Sequence, residues 1–161
     1  LKNGERRWMA LQGRVYGAHM AKATLIEGVG TFLRRCRENE LPVCIVSHKT
    51  RHGHFDPENV DLRDAALSWM GAQGFFDQSG FALRREAVHF AETRAGKVNR
   101  IKTLGCSHFI DDLKEVFLEE TFPAKTKAYL LSGEAPPPLG RFEVFPAWSG
   151  ITDALFRDLA R

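Results

Sequence analysis

The chain reads as an α/β protein with a mostly parallel sheet and helices on both faces. Short apolar runs alternate with helix-period segments, the pattern that builds βαβ units. One of these runs, Val43-Cys44-Ile45-Val46, is continuously apolar, as strands buried on both faces are. The helical segments also end at recognisable stop signals, Pro42, Gly74 and Gly105.

Taken in order, residues 5–20 place Trp8, Leu11 and Val15 at helical spacing, in a helix that Gly13 and Gly17 weaken. Residues 27–39 form a second helix with Val29, Phe32, Leu33 and Cys36 on one face and Arg34, Arg35, Arg37 and Glu38 on the other. The run 43–46 is a strand that ends in the hydroxyl of Ser47. A polar stretch, 48–60, carries His48, Lys49, His52 and His54. Asp61 caps a helix over 62–74 that turns Leu62, Ala66, Trp69 and Met70 inward. Residues 87–91 form a short strand. A helix from Lys97 to Leu104 leads through Gly105 into a strand at 107–111. Then follow a helix at 113–118, a strand at 127–131, a stiff loop at Pro136-Pro137-Pro138, a strand at 142–145 and a helix at 150–160. Trp8, Phe75, Phe76, Phe81, Phe109 and Trp148 are the expected aromatic core. The whole of 1–161 is one domain, with 50–86 as a segment that could shape a site.

With 161 residues the chain can bury a real core. A net charge of +3 is too small to argue for nucleic acid, so the arginines at 34, 35 and 37 read as a solvated helix face. A pI near 8.9 suits a small anionic substrate. Three cysteines, Cys36, Cys44 and Cys106, are an odd number lying in or beside apolar runs. Free thiols are expected, and with them a reducing, cytoplasmic setting. No apolar stretch approaches membrane-spanning length and no signal-peptide pattern opens the chain, so no membrane partner is expected.

Chemistry concentrates at Asp111-Asp112, which close the run Ser-His-Phe-Ile. Adjacent carboxylates repel, and a magnesium ion held by oxygen ligands would relieve that repulsion. The plainer reading makes them a helix cap and first-turn acid. Ser47 ends one strand and Lys97 starts a helix, so a hydroxyl, an amine and a carboxylate pair each sit at an element boundary. In parallel sheets, ligands bind beyond the carboxyl ends of the strands. His48, Lys49 and Ser47 are therefore candidates for holding a substrate anion. The spacing of His48, His52 and His54 matches no closed zinc site.

This order of motifs resembles the haloacid dehalogenase-like (HAD) superfamily. The resemblance is carried by Glu27-Gly28-Val29 with Phe32-Leu33, by Val43-Cys44-Ile45-Val46-Ser47, by Lys97 and by Phe109-Ile110-Asp111-Asp112. It implies a Rossmann-like three-layer α/β/α sandwich and Mg²⁺-dependent phosphoryl transfer from a phosphorylated small molecule through an aspartyl-phosphate. By the same resemblance, Ser47 would donate a hydrogen bond to the phosphoryl oxygens and Lys97 would neutralise charge. Asp111 would ligate Mg²⁺, and Asp112 would ligate it or orient a metal-bound water. One departure is large: the family's Asp-x-Asp nucleophile motif precedes all these pieces, yet residues 1–55 contain no aspartate. The expectation is an N-terminally truncated sequence that lacks the central first strand and is inactive as it stands. A slot between the strands at 43–47 and 107–111, or a re-paired sheet, should result. The rival expectation is a degenerate, non-catalytic binding domain of the same fold. A receiver domain would carry its acidic pair and lysine in the reverse order, and Gly28-Val29-Gly30 lacks the third glycine of a dinucleotide site.

Overall fold

The computed structural model describes residues 3–55, 57–133 and 140–160. It opens with α1 (Asn3–Tyr16), a 3₁₀ turn (Met20–Lys22) and α2 (Val29–Glu38). β1 (Ile45–His48) and α3 (Leu62–Ala72) follow, then a second 3₁₀ turn (Arg85–Ala87) running into β2 (Val88–Ala91). The rest is α4 (Arg94–Leu104), β3 (His108–Asp111), α5 (Lys114–Phe117), β4 (Lys127–Leu131), β5 (Glu143–Phe145) and α6 (Trp148–Leu159). The proline run at 136–138 lies outside the described residues.

Local chemistry accounts for these boundaries. Gly28 opens α2 at φ 88°, and a Cβ there would lie 2.7 Å from the Trp148 Cβ, so both the backbone and the close approach of α6 require glycine. Asp61 caps α3 as expected, its carboxylate accepting from the Arg63 and Asp64 N–H groups at 2.9 and 3.1 Å. Thr93 does the same for α4, accepting from the Gly96 N–H at 3.0 Å. The helix therefore starts at Arg94, three residues ahead of the expected Lys97. Gly105, at φ 65°, ends it in a left-handed cap.

The fold is mixed α/β. Its strands form two short parallel sheets, β1-β2 and β3-β4-β5, with no ladder joining β1 to β3 among the described residues. Two hydrophobic cores nevertheless draw on both sheets. Ile45 and Val88 of the first sheet, with Ile110, Tyr129 and Phe145 of the second, pack with Phe32, Cys36, Met70 and Ile151 from α2, α3 and α6. Val46 of the first sheet, with Phe109, Ala128 and Leu130 of the second, packs with Val98, Ile101, Val116 and Phe117 from α4 and α5. Successive strand residues thus alternate between the cores, as the pleat dictates. The segment 50–86 is no separate lobe, since Met70, Phe75, Phe81 and Leu83 belong to the first core.

One core assignment is overturned. Trp8 is 59% exposed, and Leu11 and Val15 face outward with it. Gly13 is the buried residue of α1. At the helix end, a Cβ on Gly17 would lie 3.1 Å from the Val60 side chain and 3.2 Å from that of Leu62. The glycines let the backbone of this segment approach α3 closely, and that contact turns the apolar stripe to solvent. Phe75, Phe81 and Phe109 are buried, while Phe76 and Trp148 are half-buried.

Candidate functional site

The C-terminal ends of β1, β2 and β3 carry the charged groups anticipated in the sequence. Lys97, in the first turn of α4, is 7% exposed, and Asp111, the last residue of β3, is 8% exposed. Their side chains form a salt bridge between the ammonium and Oδ2. The other carboxylate oxygen, Oδ1, accepts from the Leu113 N–H at 3.0 Å, so the chain turns sharply after the strand. Lys97 Nζ also lies 5.5 Å from the Phe109 ring centroid, which holds the amine over the second core. Burial pushes the Asp111 carboxyl up from its ordinary value, against the pull of Lys97 and the Leu113 N–H; exposed Asp112 adds to the rise.

Strand parity decides which β1 residue joins this pair. Val46 packs in the α4-side core, and His48, two residues on, shares its face. Ser47 shares the opposite face with Ile45. The electrostatics agree: burial and then the Lys97 ammonium lower the His48 pKa, while Asp111 and Asp112 oppose the shift. His48 is therefore a neutral imidazole at neutral pH, within the field of the pair. The Ser47 hydroxyl makes no hydrogen bond to Lys97 or Asp111. Lys49 turns toward α1, its Nζ 4.2 Å from the Tyr16 ring centroid, and burial lowers its pKa.

Two groups escaped the sequence reading. Arg94, which also lowers the His48 pKa, is ion-paired with Glu119. Arg63 donates through Nε to the Lys49 carbonyl at 3.1 Å, and its buried Nη2 has no hydrogen-bond partner at 3.6 Å from Glu92. The Thr93 cap was the signal available for Arg94, because it places that residue at the helix start. His52 is engaged locally, its Nδ1 3.2 Å from the Asn59 carbonyl oxygen.

Magnesium does not find a ready cage here. It takes about six oxygen ligands, commonly one or two carboxylates completed by water and phosphate. Asp111 and Asp112 are two carboxylates, and both Asp111 oxygens already have partners. Among the described residues no group of three or more His, Cys, Asp or Glu side chains could hold a metal ion. The residues present do not make a magnesium site by themselves.

No protein-family model, curated protein or solved structure matches the chain. The HAD resemblance rests on the residues alone. Among the described residues no helix is long and apolar enough to cross a membrane.

Proposed function

We propose that this chain is the phosphate-binding body of a HAD-like, Rossmann-type phosphohydrolase acting on a phosphorylated small molecule in the cytoplasm. The observation that carries the reading is the buried Lys97–Asp111 pair at the C-terminal edge of parallel strands. An isolated buried ion pair gives little net stability, because desolvation offsets most of its attraction. Retaining one at the edge where α/β proteins bind ligands argues for a site. A phosphoryl group seated between β1 and β3 would meet the Lys97 ammonium, which neutralises its charge, and the His48 imidazole, which can hydrogen-bond without adding charge. Phosphoryl transfer needs this positioning and neutralisation more than covalent help from the body of the protein. The hydrolase reading needs a further strand to carry the nucleophilic aspartate. Any Mg²⁺ would have to be held by Asp112 with phosphate and water, since both Asp111 oxygens are already engaged.

A second reading, a non-catalytic phosphate-binding domain, is favoured by one observation. Residues 1–55 contain no aspartate, so these residues supply no nucleophile ahead of the motifs. Two measurements separate the readings. ³¹P NMR should show inorganic phosphate binding in the presence of Mg²⁺, weakened by Asp112→Asn, an exposed position where folding is not at risk. A phosphate-ester screen of the chain extended by whatever natural sequence precedes Leu1 should then show turnover for the hydrolase and none for the binding domain. Absence of phosphate binding would sink both.

A further inference from the structure

We infer that Cys44 and Cys106 form a redox-active dithiol, a covalent modification site whose substrate is a low-molecular-weight disulfide and whose product is a cross-link between the two sheets. The two sulfur atoms lie 3.8 Å apart although the residues are 62 apart in sequence. Cys44 immediately precedes β1, and Cys106 precedes β3 by two residues. Both are half-buried against the same core, that of Val98 and Phe117. The pair therefore sits at the N-terminal edge of two sheets that share no ladder among the described residues. A disulfide needs its sulfurs about 2.05 Å apart. Forming the bond requires side-chain rotation and an approach of the sulfurs by about 1.8 Å. Cys36, the remaining thiol, is buried in the other core and takes no part.

The chemistry balances with a small disulfide as the oxidant. The Cys44 thiolate attacks one of its sulfurs, the S–S bond breaks and one small thiol leaves, giving a mixed disulfide on Cys44. Cys106 then loses its proton and attacks the Cys44 sulfur, and the second small thiol departs. The protein pair loses two electrons, the small disulfide gains them, and the two cysteine protons end on the released thiols. Burial and the adjacent Cys44 hold the Cys106 thiol up to about 11. That makes Cys106 a poor first attacker and leaves it the second step, where proximity to its target compensates for its small thiolate fraction. Closing this bond would fix the separation of β1 and β3 at the edge opposite Lys97 and Asp111.

The test uses the full chain equilibrated in glutathione buffers of rising disulfide content, quenched with acid, unfolded and assayed for thiols. The count should fall threefold, from three to one, and dithiothreitol should restore three. Tryptic digestion without reductant should yield peptide 38–49 linked to peptide 103–114, with Cys36 free in the dipeptide 36–37. Cys36→Ser should leave the link intact, while Cys44→Ser should abolish it. A count that stays at three would overturn the inference. So would separate glutathione adducts on the two cysteines, or disulfides joining two molecules. The peptide map on the unaltered chain decides the matter even if a variant does not fold.

Discussion

Two polar clusters sit at opposite ends of the same strands, and they solve the problem of buried charge differently. At the N-terminal edge, the Asp158 carboxylate near the end of α6 accepts from both Lys127 and the Tyr129 hydroxyl, with His108 4.0 Å away. Lys127 also lies 3.6 Å from Glu143. Side chains of β3, β4 and β5 are thereby tied to α6, and Asp158 and Lys127 each have more than one partner. At the C-terminal edge, Lys97 and Asp111 are more deeply buried and rely on each other. The first cluster is explained by the fold it fastens. The second is not, since an apolar pair would join α4 to β3 equally well. Charge that the fold does not need marks the end of the sheet where a ligand should be sought.

The largest effect should come from breaking the second cluster. Lys97→Met leaves Asp111 buried without its cation and should cost about 3–5 kcal/mol in urea unfolding at neutral pH. The pH dependence has a definite sign. Burial already raises the Asp111 pKa, and removing Lys97 raises it further. A raised folded-state pKa favours the protonated form, so the loss should be complete above the folded value, shrink as pH falls toward the ordinary carboxylate range, and be gone below it.

In the first cluster, Tyr129→Phe removes one hydrogen bond to an ionised group, and about 1.5–3 kcal/mol is expected. The remaining partners of Asp158 should keep the network standing. A cost as large as that of Lys97→Met would erase the distinction between the two edges.

A subtler test is pH. Hydrogen bonds from Lys127 and Tyr129 hold the Asp158 carboxyl down to about 2. A depressed pKa supplies stability above the unfolded-state value near 3.8, and that stability drains away as pH falls toward 2. Asp158→Asn should flatten the stability curve between about pH 4 and pH 2. An unchanged curve would mean that the network does not hold the carboxylate.

Much of this architecture was legible in the sequence because local signals agreed with the tertiary fold. The Asp61 cap, the Gly105 stop and the strand Lys127–Leu131 stand where pattern and turn chemistry put them. The Lys97–Asp111 partnership was also anticipated, since both residues sit at element ends that a parallel sheet brings together. What failed were choices between faces. In α1 the apolar period was read correctly and the buried side wrongly, because backbone approach at Gly13 and Gly17 outweighs the burial of Trp8, Leu11 and Val15. At β1, the strand runs one residue beyond Ser47, and parity gives the terminal His48, not Ser47, the face of Val46. A single residue of register exchanges the two faces, and spacing along a sequence cannot supply it. Arg94 was missed for the related reason that its helix start was set three residues late.

The most direct test replaces the ion pair with apolar residues, Lys97→Met together with Asp111→Leu, and measures unfolding free energy and ³¹P-detected phosphate binding on the same preparation. The account predicts a folded protein within about 1 kcal/mol of the original, or more stable, that no longer binds phosphate. A doubly substituted protein that binds phosphate as well as the original would contradict it.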